Sequence, residues 1–253
     1  MTFAADALAG RRILVTGASS GIGKEAALRL SQVGAQLIVM GRDEGRLNAT
    51  AGTLAGEGHQ VLTGPLDNAD AVADLVQNLA KQHGPLQGVF HSAGSSLVLP
   101  AKLTKNRHLD EVFGAGFRGA FGIARAAAKK GVIEDGGSLV LMSSVSSLRG
   151  RQGMVAYSAA KAAVDGMVRA LATEIAPRGI RANSIISGAV ETQMHNDFVQ
   201  SVDETLVNNY RNLHLLGFGQ PADVANAAIF LLSDAAKWIT GASIAVDGGY
   251  TAK

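Results

Sequence analysis

Short apolar runs alternate with helix-spaced apolar positions along the whole chain. The runs at Arg12–Thr16, Gln36–Met40, Gln60–Thr63, Gln87–Phe90, Ser138–Met142, Arg181–Ile186 and Ser243–Val246 predict strands. Several are continuously apolar rather than alternating, as strands covered on both faces should be. Between them, Ile22–Val33, Glu44–Ala55, Ala69–Gln82, Leu109–Lys130, Val155–Ile175 and Ala222–Leu232 space their apolar residues as helices do. Strand–helix–strand alternation implies right-handed crossovers and a doubly wound parallel sheet of about seven strands, with helices on both faces. No repeat or linker interrupts it, so 1–253 reads as a single α/β domain. The segment Glu191–Phe218 breaks the rhythm, with Asn, His and weak periodicity. It is an ordinary surface excursion or, lying beyond a late strand, a substrate lid.

Composition narrows the class. The 253 residues are 47% hydrophobic and only 17% charged, against roughly 25% charged in an average domain. Low charge suits buried strands and subunit contacts, and 31 glycines suit tight turns between strands and helices. The net charge of +2 argues against nucleic-acid or membrane-surface partners. Zero cysteines exclude disulfides, thiolate nucleophiles and Cys-ligated zinc, and six scattered histidines form no metal motif. The N-terminal MTFAADALAGRR lacks the apolar core of a signal peptide, and no run reaches the roughly 18 apolar residues of a membrane span. A cytoplasmic protein is expected.

The first predicted strand runs into Thr16-Gly17-Ala18-Ser19-Ser20-Gly21-Ile22-Gly23 and then a helix. Glycines permit a turn closed to β-carbons and let backbone approach a pyrophosphate at the positive helix end. Glycine also serves plain turns, but this position, after the first strand and opening the first helix, points to a dinucleotide. The second strand ends Ile38-Val39-Met40-Gly41-Arg42-Asp43. NAD sites usually place an acidic residue here for the ribose 2′-hydroxyl, whereas arginine suits a 2′-phosphate. Gly41 leaves the position empty and Arg42 follows, so NADP(H) is favoured over NAD(H). The alternative leaves Arg42 in solvent or paired with Asp43 or Glu44.

Tyr157-Ser-Ala-Ala-Lys161 starts a predicted helix, and a spacing of four puts both side chains on one face. Ser144 stands thirteen residues before Tyr157, past the end of an apolar strand. A free phenol titrates near 10, and a close ammonium should lower that by about one to three units, so Tyr157 could exchange protons near neutrality. Ser144 would hold a substrate carbonyl or hydroxyl beside it. The set Ser144, Tyr157 and Lys161, with the Gly-rich turn, resembles the classical short-chain dehydrogenase/reductase family over nearly the whole chain. Within it, the likeness is to the branch containing 3-oxoacyl-acyl-carrier-protein reductases. Asp67-Asn68, Arg181-Ala182-Asn183 and Val246-Asp247-Gly248-Gly249 also match.

The resemblance implies a Rossmann-like fold and hydride exchange between a nicotinamide cofactor and a carbonyl or secondary alcohol. It makes Tyr157 the general acid/base, Ser144 the substrate-positioning hydroxyl, and Lys161 the residue that lowers the Tyr157 pKa and binds the nicotinamide ribose. Cofactor contacts are implied for Gly17, Ser19, Ser20, Gly21, Ile22, Gly23, Asp67, Asn68, Ser92, Ala93, Gly94, Gly188, Val190 and Thr192. It also implies a homotetramer or homodimer.

Three positions depart from the family pattern. Gly116, in Ala115-Gly116-Phe117-Arg118-Gly119, stands where an active-site Asn of a proton relay is expected. The relay either persists through a water, is rerouted, or fails. His91-Ser92-Ala93-Gly94 replaces the usual Asn-Asn-Ala-Gly, and Ser187-Gly188 the usual Pro-Gly. His91 titrates near physiological pH or serves as a structural hydrogen-bonding group. Arg149 and Arg151 attract an anionic substrate or form a solvated pair, and His195 and His214 enter the lid or lie on a helix surface. The rival functions are an NAD-dependent dehydrogenase of a hydroxylated metabolite and a nucleotide-binding subunit with catalysis reduced at Gly116.

Overall fold

A computed structural model describes residues 2–193, 195–196 and 203–253. Seven strands form one parallel sheet: β1 (Arg12–Thr16), β2 (Gln36–Gly41), β3 (Gln60–Thr63), β4 (Leu86–His91), β5 (Ile133–Ser144), β6 (Arg181–Ser187) and β7 (Ser243–Val246). Their order is β3-β2-β1-β4-β5-β6-β7. The helices are α1 (Gly21–Gln32), α2 (Glu44–Ala51), α3 (Ala69–His83), α4 (Asn106–Phe113), α5 (Gly119–Ala128), α6 (Val155–Ile175), α7 (Glu204–Asn212) and α8 (Pro221–Leu232).

The continuous apolar strands explain themselves once covered on both sides. On β1, Ile13 and Val15 pack into a core with α1 and α8, while Leu14 packs into the opposite core with α3, α5 and α6. Strand β1 therefore feeds two cores, and no polar face survives on it. The chain winds outward from β1 to β3, then returns to β4 and winds the other way. The crevice at the carboxyl ends of β1 and β4 is the switch point where such sheets bind ligands.

Three differences from the expected elements have physical reasons. The single helix expected over Leu109–Lys130 is two helices, α4 and α5, joined by a π-helical turn at Gly114–Arg118. A β-carbon on Gly119 would lie 2.4 Å from the Leu66 carbonyl, so the chain re-registers where it presses on the loop after β3. Strand β5 starts five residues early, because Ile133 already pairs with Leu86 of β4 before an irregularity that resolves at Gly88 and Ser138. Finally, Glu204–Asn212 inside the excursion is helical, capped by Asp203 accepting from the Thr205 N–H at 2.8 Å. Met194 and 197–202 of that segment lie outside the described residues. Among the described residues no helix is long and apolar enough to cross a membrane.

Candidate active site

The Gly-rich turn sits at the switch point. Gly17 has φ +70°, and a β-carbon there would lie 2.8 Å from the Ala93 backbone nitrogen. A β-carbon on Gly23 would lie 2.3 Å from the Gly17 carbonyl oxygen. Both glycines are thus required for β1, α1 and the loop after β4 to approach one another. The helices α2 and α3 are capped by Asp43 and Asn68, which accept from the Arg46 and Ala71 N–H groups. By contrast, α1 has no side-chain cap and no acidic residue in its first turn. Its orphan N–H groups and positive dipole end face the crevice, and this fits a pyrophosphate.

Other predicted cofactor positions gather around that turn. Ser92 N–H donates to the Thr16 carbonyl at 3.2 Å, which places Ser92, Ala93 and Gly94 beside it. The Thr192 methyl lies 3.3 Å from a β-carbon built on Gly21, so the loop after β6 closes over the turn. Gly188 pairs with the Val246 carbonyl, and Val190 bridges to Gly219, which fixes that loop from below. Arg42 is exposed and, among the described residues, makes no ion pair or hydrogen bond; its neighbour Asp43 is spent on the α2 cap. Asp67 is exposed beside Gly114, and Asn68 is committed to capping α3.

At the end of β5 the Ser144 hydroxyl lies beside the Tyr157 phenol, close enough to favour its ionised form, and accepts from the Ser146 N–H at 3.2 Å. Lys161, one turn further along α6, is buried and donates to the Met142 carbonyl at 3.0 Å. Its ammonium lies 5.7 Å from the Tyr157 ring centroid. Burial pulls the Lys161 pKa down to about 8, opposed by Asp165. Here the expected electrostatics are overturned. Tyr157 titrates above its ordinary value: burial outweighs the pull of the Ser144 hydroxyl, and the Tyr210 phenol facing the same space pushes it further up. Lys161 lies against the ring and is bonded to a carbonyl, so the bare protein keeps Tyr157 protonated.

His91 is fully enclosed and structural. Its Nε2–H donates to the Ala115 carbonyl at 3.0 Å, so its Nδ1 must accept from the Thr16 hydroxyl at 2.8 Å. Burial and the nearby Lys161 charge lower its pKa to about 4, and it stays neutral. The ring thereby staples β1, β4 and the π-turn that carries Gly116. A β-carbon built on Gly116 meets only the Gly94 Cα, at 3.9 Å, and Gly94 adjoins the Lys161 ammonium. A β-carbon, the first side-chain atom of the family's Asn, therefore fits here without a clash.

Two expectations about the rim are corrected. Arg149 and Arg151 are not a solvated pair: Arg149 donates to the Tyr250 carbonyl at 2.8 Å, and Arg151 stacks 3.9 Å from the Tyr210 ring centre. His214 is buried rather than on a helix surface; it accepts from the Ala189 N–H and donates to the Tyr210 carbonyl, both at 3.1 Å. His195 packs edge-on to Phe218 at 4.5 Å. Tyr210, Tyr250 and Phe218 thus form an aromatic cluster beside the Tyr157 phenol. The only sequence signal for it was four-residue spacing of Tyr210 and His214 in a segment without clear periodicity.

The family model described as enoyl-(acyl carrier protein) reductase matches residues 17–251. The chain belongs to the short-chain dehydrogenase/reductase family. A glucose 1-dehydrogenase of Gluconobacter oxydans is 32% identical over 251 residues, covering 97% of this chain and 94% of that one. A 3-oxoacyl-[acyl-carrier-protein] reductase of Thermotoga maritima is 31% identical over 249 residues, covering 96% and 98%. The solved structure of a blue fluorescent protein from a metagenomic library, in complex with NADPH, superposes with a TM-score of 0.86 at 27% identity. That match covers 96% of this short-chain dehydrogenase/reductase and 98% of its neighbour. Enzymes of this family are oxidoreductases acting on alcohols and carbonyls, and the solved neighbour shares the Rossmann-like architecture.

Proposed function

We propose that this protein is an NADP(H)-dependent reductase of a carbonyl compound, running reversibly to the secondary alcohol, with Ser144, Tyr157 and Lys161 as its catalytic residues. The observation that carries the reading is the Ser144 hydroxyl, at the carboxyl end of β5, beside the Tyr157 phenol, with the Lys161 ammonium 5.7 Å from the Tyr157 ring centre and the uncapped α1 nearby. A carbonyl oxygen in the cleft would accept from both hydroxyls. Bound nicotinamide would supply or accept the hydride. Tyr157 gives its proton to the oxygen as the alcohol forms, and the Lys161 ammonium stabilises the phenolate left behind.

Arg42 supports NADP(H): an exposed guanidinium beside Gly41, without a partner among the described residues, can take a 2′-phosphate in planar bidentate fashion. The neighbour solved with NADPH agrees. Kinship with a glucose 1-dehydrogenase favours a second reading, NAD(P)-linked oxidation of a hydroxylated metabolite at the same site. The segment 191–218 acts as the substrate lid in either reading. Exposed apolar side chains such as Phe121, Val155 and Trp238 support a homotetramer or homodimer. The test is a panel of ketones, aldehydes and sugars assayed with NADPH and NADH by nicotinamide absorbance. Turnover with NADPH on a carbonyl is expected. Tight cofactor binding with no turnover on any compound would overturn the enzyme reading and leave a nucleotide-binding subunit.

A further inference from the structure

Asp165 is a buried carboxylate, and the chemistry described above does not use it. It is 5% exposed and lies one helical turn beyond Lys161 on the same face of α6. One oxygen accepts from the Ser143 hydroxyl on β5 at 3.0 Å, the other from the Ser184 hydroxyl on β6 at 2.7 Å. Ser243 Oγ on β7 lies 2.8 Å from Ser184 Oγ, so three consecutive strands are tied to one side chain. The Ser143 hydroxyl also reaches the Lys161 carbonyl at 3.3 Å. Among the described residues no Lys, Arg or His nitrogen lies within 4.0 Å of the carboxylate.

A neutral amide would satisfy the same serines. Burying a charge without an ion pair is costly, so a role for the charge itself is to be sought nearby. The cation in range is Lys161. We propose that Asp165 is a positioning residue of the active site, which seats α6 against the strand carrying Ser144 and holds Lys161 as the ammonium. Ser143 directly precedes Ser144, so the clamp that fixes the helix also fixes the strand end bearing the substrate hydroxyl. Burial works against the Lys161 charge and Asp165 works for it. The other groups facing Lys161 supply no anion: Tyr157 on α6 is protonated, His91 on β4 is neutral, and β5 presents the Met142 carbonyl.

The catalytic meaning of this proposal rests on Lys161 serving the reaction proposed above, but its test does not need turnover. Protein with carbon-13-labelled lysine is titrated by NMR, with the Lys161 signal assigned by its loss in Lys161→Met. Asp165→Asn keeps the shape and removes the charge, turning one acceptor oxygen into an NH2 group whose proton a serine hydroxyl can accept. It should lower the Lys161 midpoint by about one pH unit. Ser184→Ala keeps the charge and should lower the melting temperature while leaving the midpoint close to wild type. Asp165→Ser reads the same midpoint if the Asn variant does not fold. Coincident midpoints in wild type and the uncharged variant would overturn the proposal, as would an equal displacement in Ser184→Ala. A wild type that turns over no carbonyl refutes the proposed function alone, and the midpoints still decide the role of Asp165. Where turnover is measured, the alkaline limb of the pH–rate profile should move to lower pH in Asp165→Asn only.

Discussion

Lys161 should make the protein less stable than it could be. The side chain is 7% exposed, and its pKa falls from 10.5 to about 8. At neutral pH the fold therefore carries a charged lysine at a cost of about 3 kcal/mol relative to the unfolded chain. That figure already includes the attraction of Asp165. Lys161→Met removes the penalty and keeps the bulk of the side chain, but it loses the hydrogen bond to the Met142 carbonyl, worth about 1 kcal/mol. The net gain is about 2 kcal/mol at pH 7, or roughly 4–8 °C in melting temperature for a chain of this length. A lysine with a depressed folded pKa penalises the fold fully at any pH below that value, and the penalty fades as pH climbs from about 8 toward 10.5. Thermal and urea unfolding of both proteins at pH 7 and pH 10 checks this. At pH 10 the remaining penalty is about 1 kcal/mol, which the lost hydrogen bond offsets, so the gain should all but vanish. A variant less stable than wild type at pH 7, or a gain equal at both pH values, would refute the reasoning. Activity should be lost throughout.

Further substitutions test the cofactor end and the departures from the family. Arg42→Ala should weaken NADP(H) binding by roughly 10- to 100-fold, the loss of a charge-assisted contact, and leave NAD(H) unchanged, as read by cofactor fluorescence titration. Gly23→Ala pushes a β-carbon to 2.3 Å from the Gly17 carbonyl oxygen and should abolish binding of both dinucleotides in the same titration. Gly116→Asn meets no clash at its β-carbon, so the fold should survive with an unchanged melting temperature. Turnover unchanged by that substitution would indicate that the relay tolerates glycine, and a faster variant that glycine limits it.

The sheet was legible because covering both faces leaves a mark every strand shares, a run such as Ile13-Leu14-Val15 with no polar break. The Gly-rich turn was legible for a related reason, since the close approach of β1, α1 and the loop after β4 demands glycine at fixed positions, and the spacing of Tyr157 and Lys161 already set them one helical turn apart on α6. What stayed hidden depends on packing between distant segments. The π-turn at Gly114–Arg118 packs against the loop after β3 at Asp67 and, just beyond it, at Leu66, far away along the chain, and nothing local announces it. The Tyr157 pKa runs opposite to expectation because burial, which the Tyr-x-x-x-Lys spacing does not encode, outweighs the Ser144 hydroxyl, while Lys161 donates to the Met142 carbonyl. Likewise Arg149 and Arg151 look solvated in sequence and become anchored only when α7 and Tyr250 fold over them.

The central claim is that one phenol passes the proton while the bound coenzyme passes the hydride. The most direct measurement compares wild type with Tyr157→Phe on a reducible carbonyl, with NADPH binding titrated in parallel. Binding should be preserved and turnover should fall by about 10²- to 10⁴-fold, the range expected for removing a general acid. Turnover at the wild-type rate by a Tyr157→Phe protein that binds NADPH normally would contradict the account.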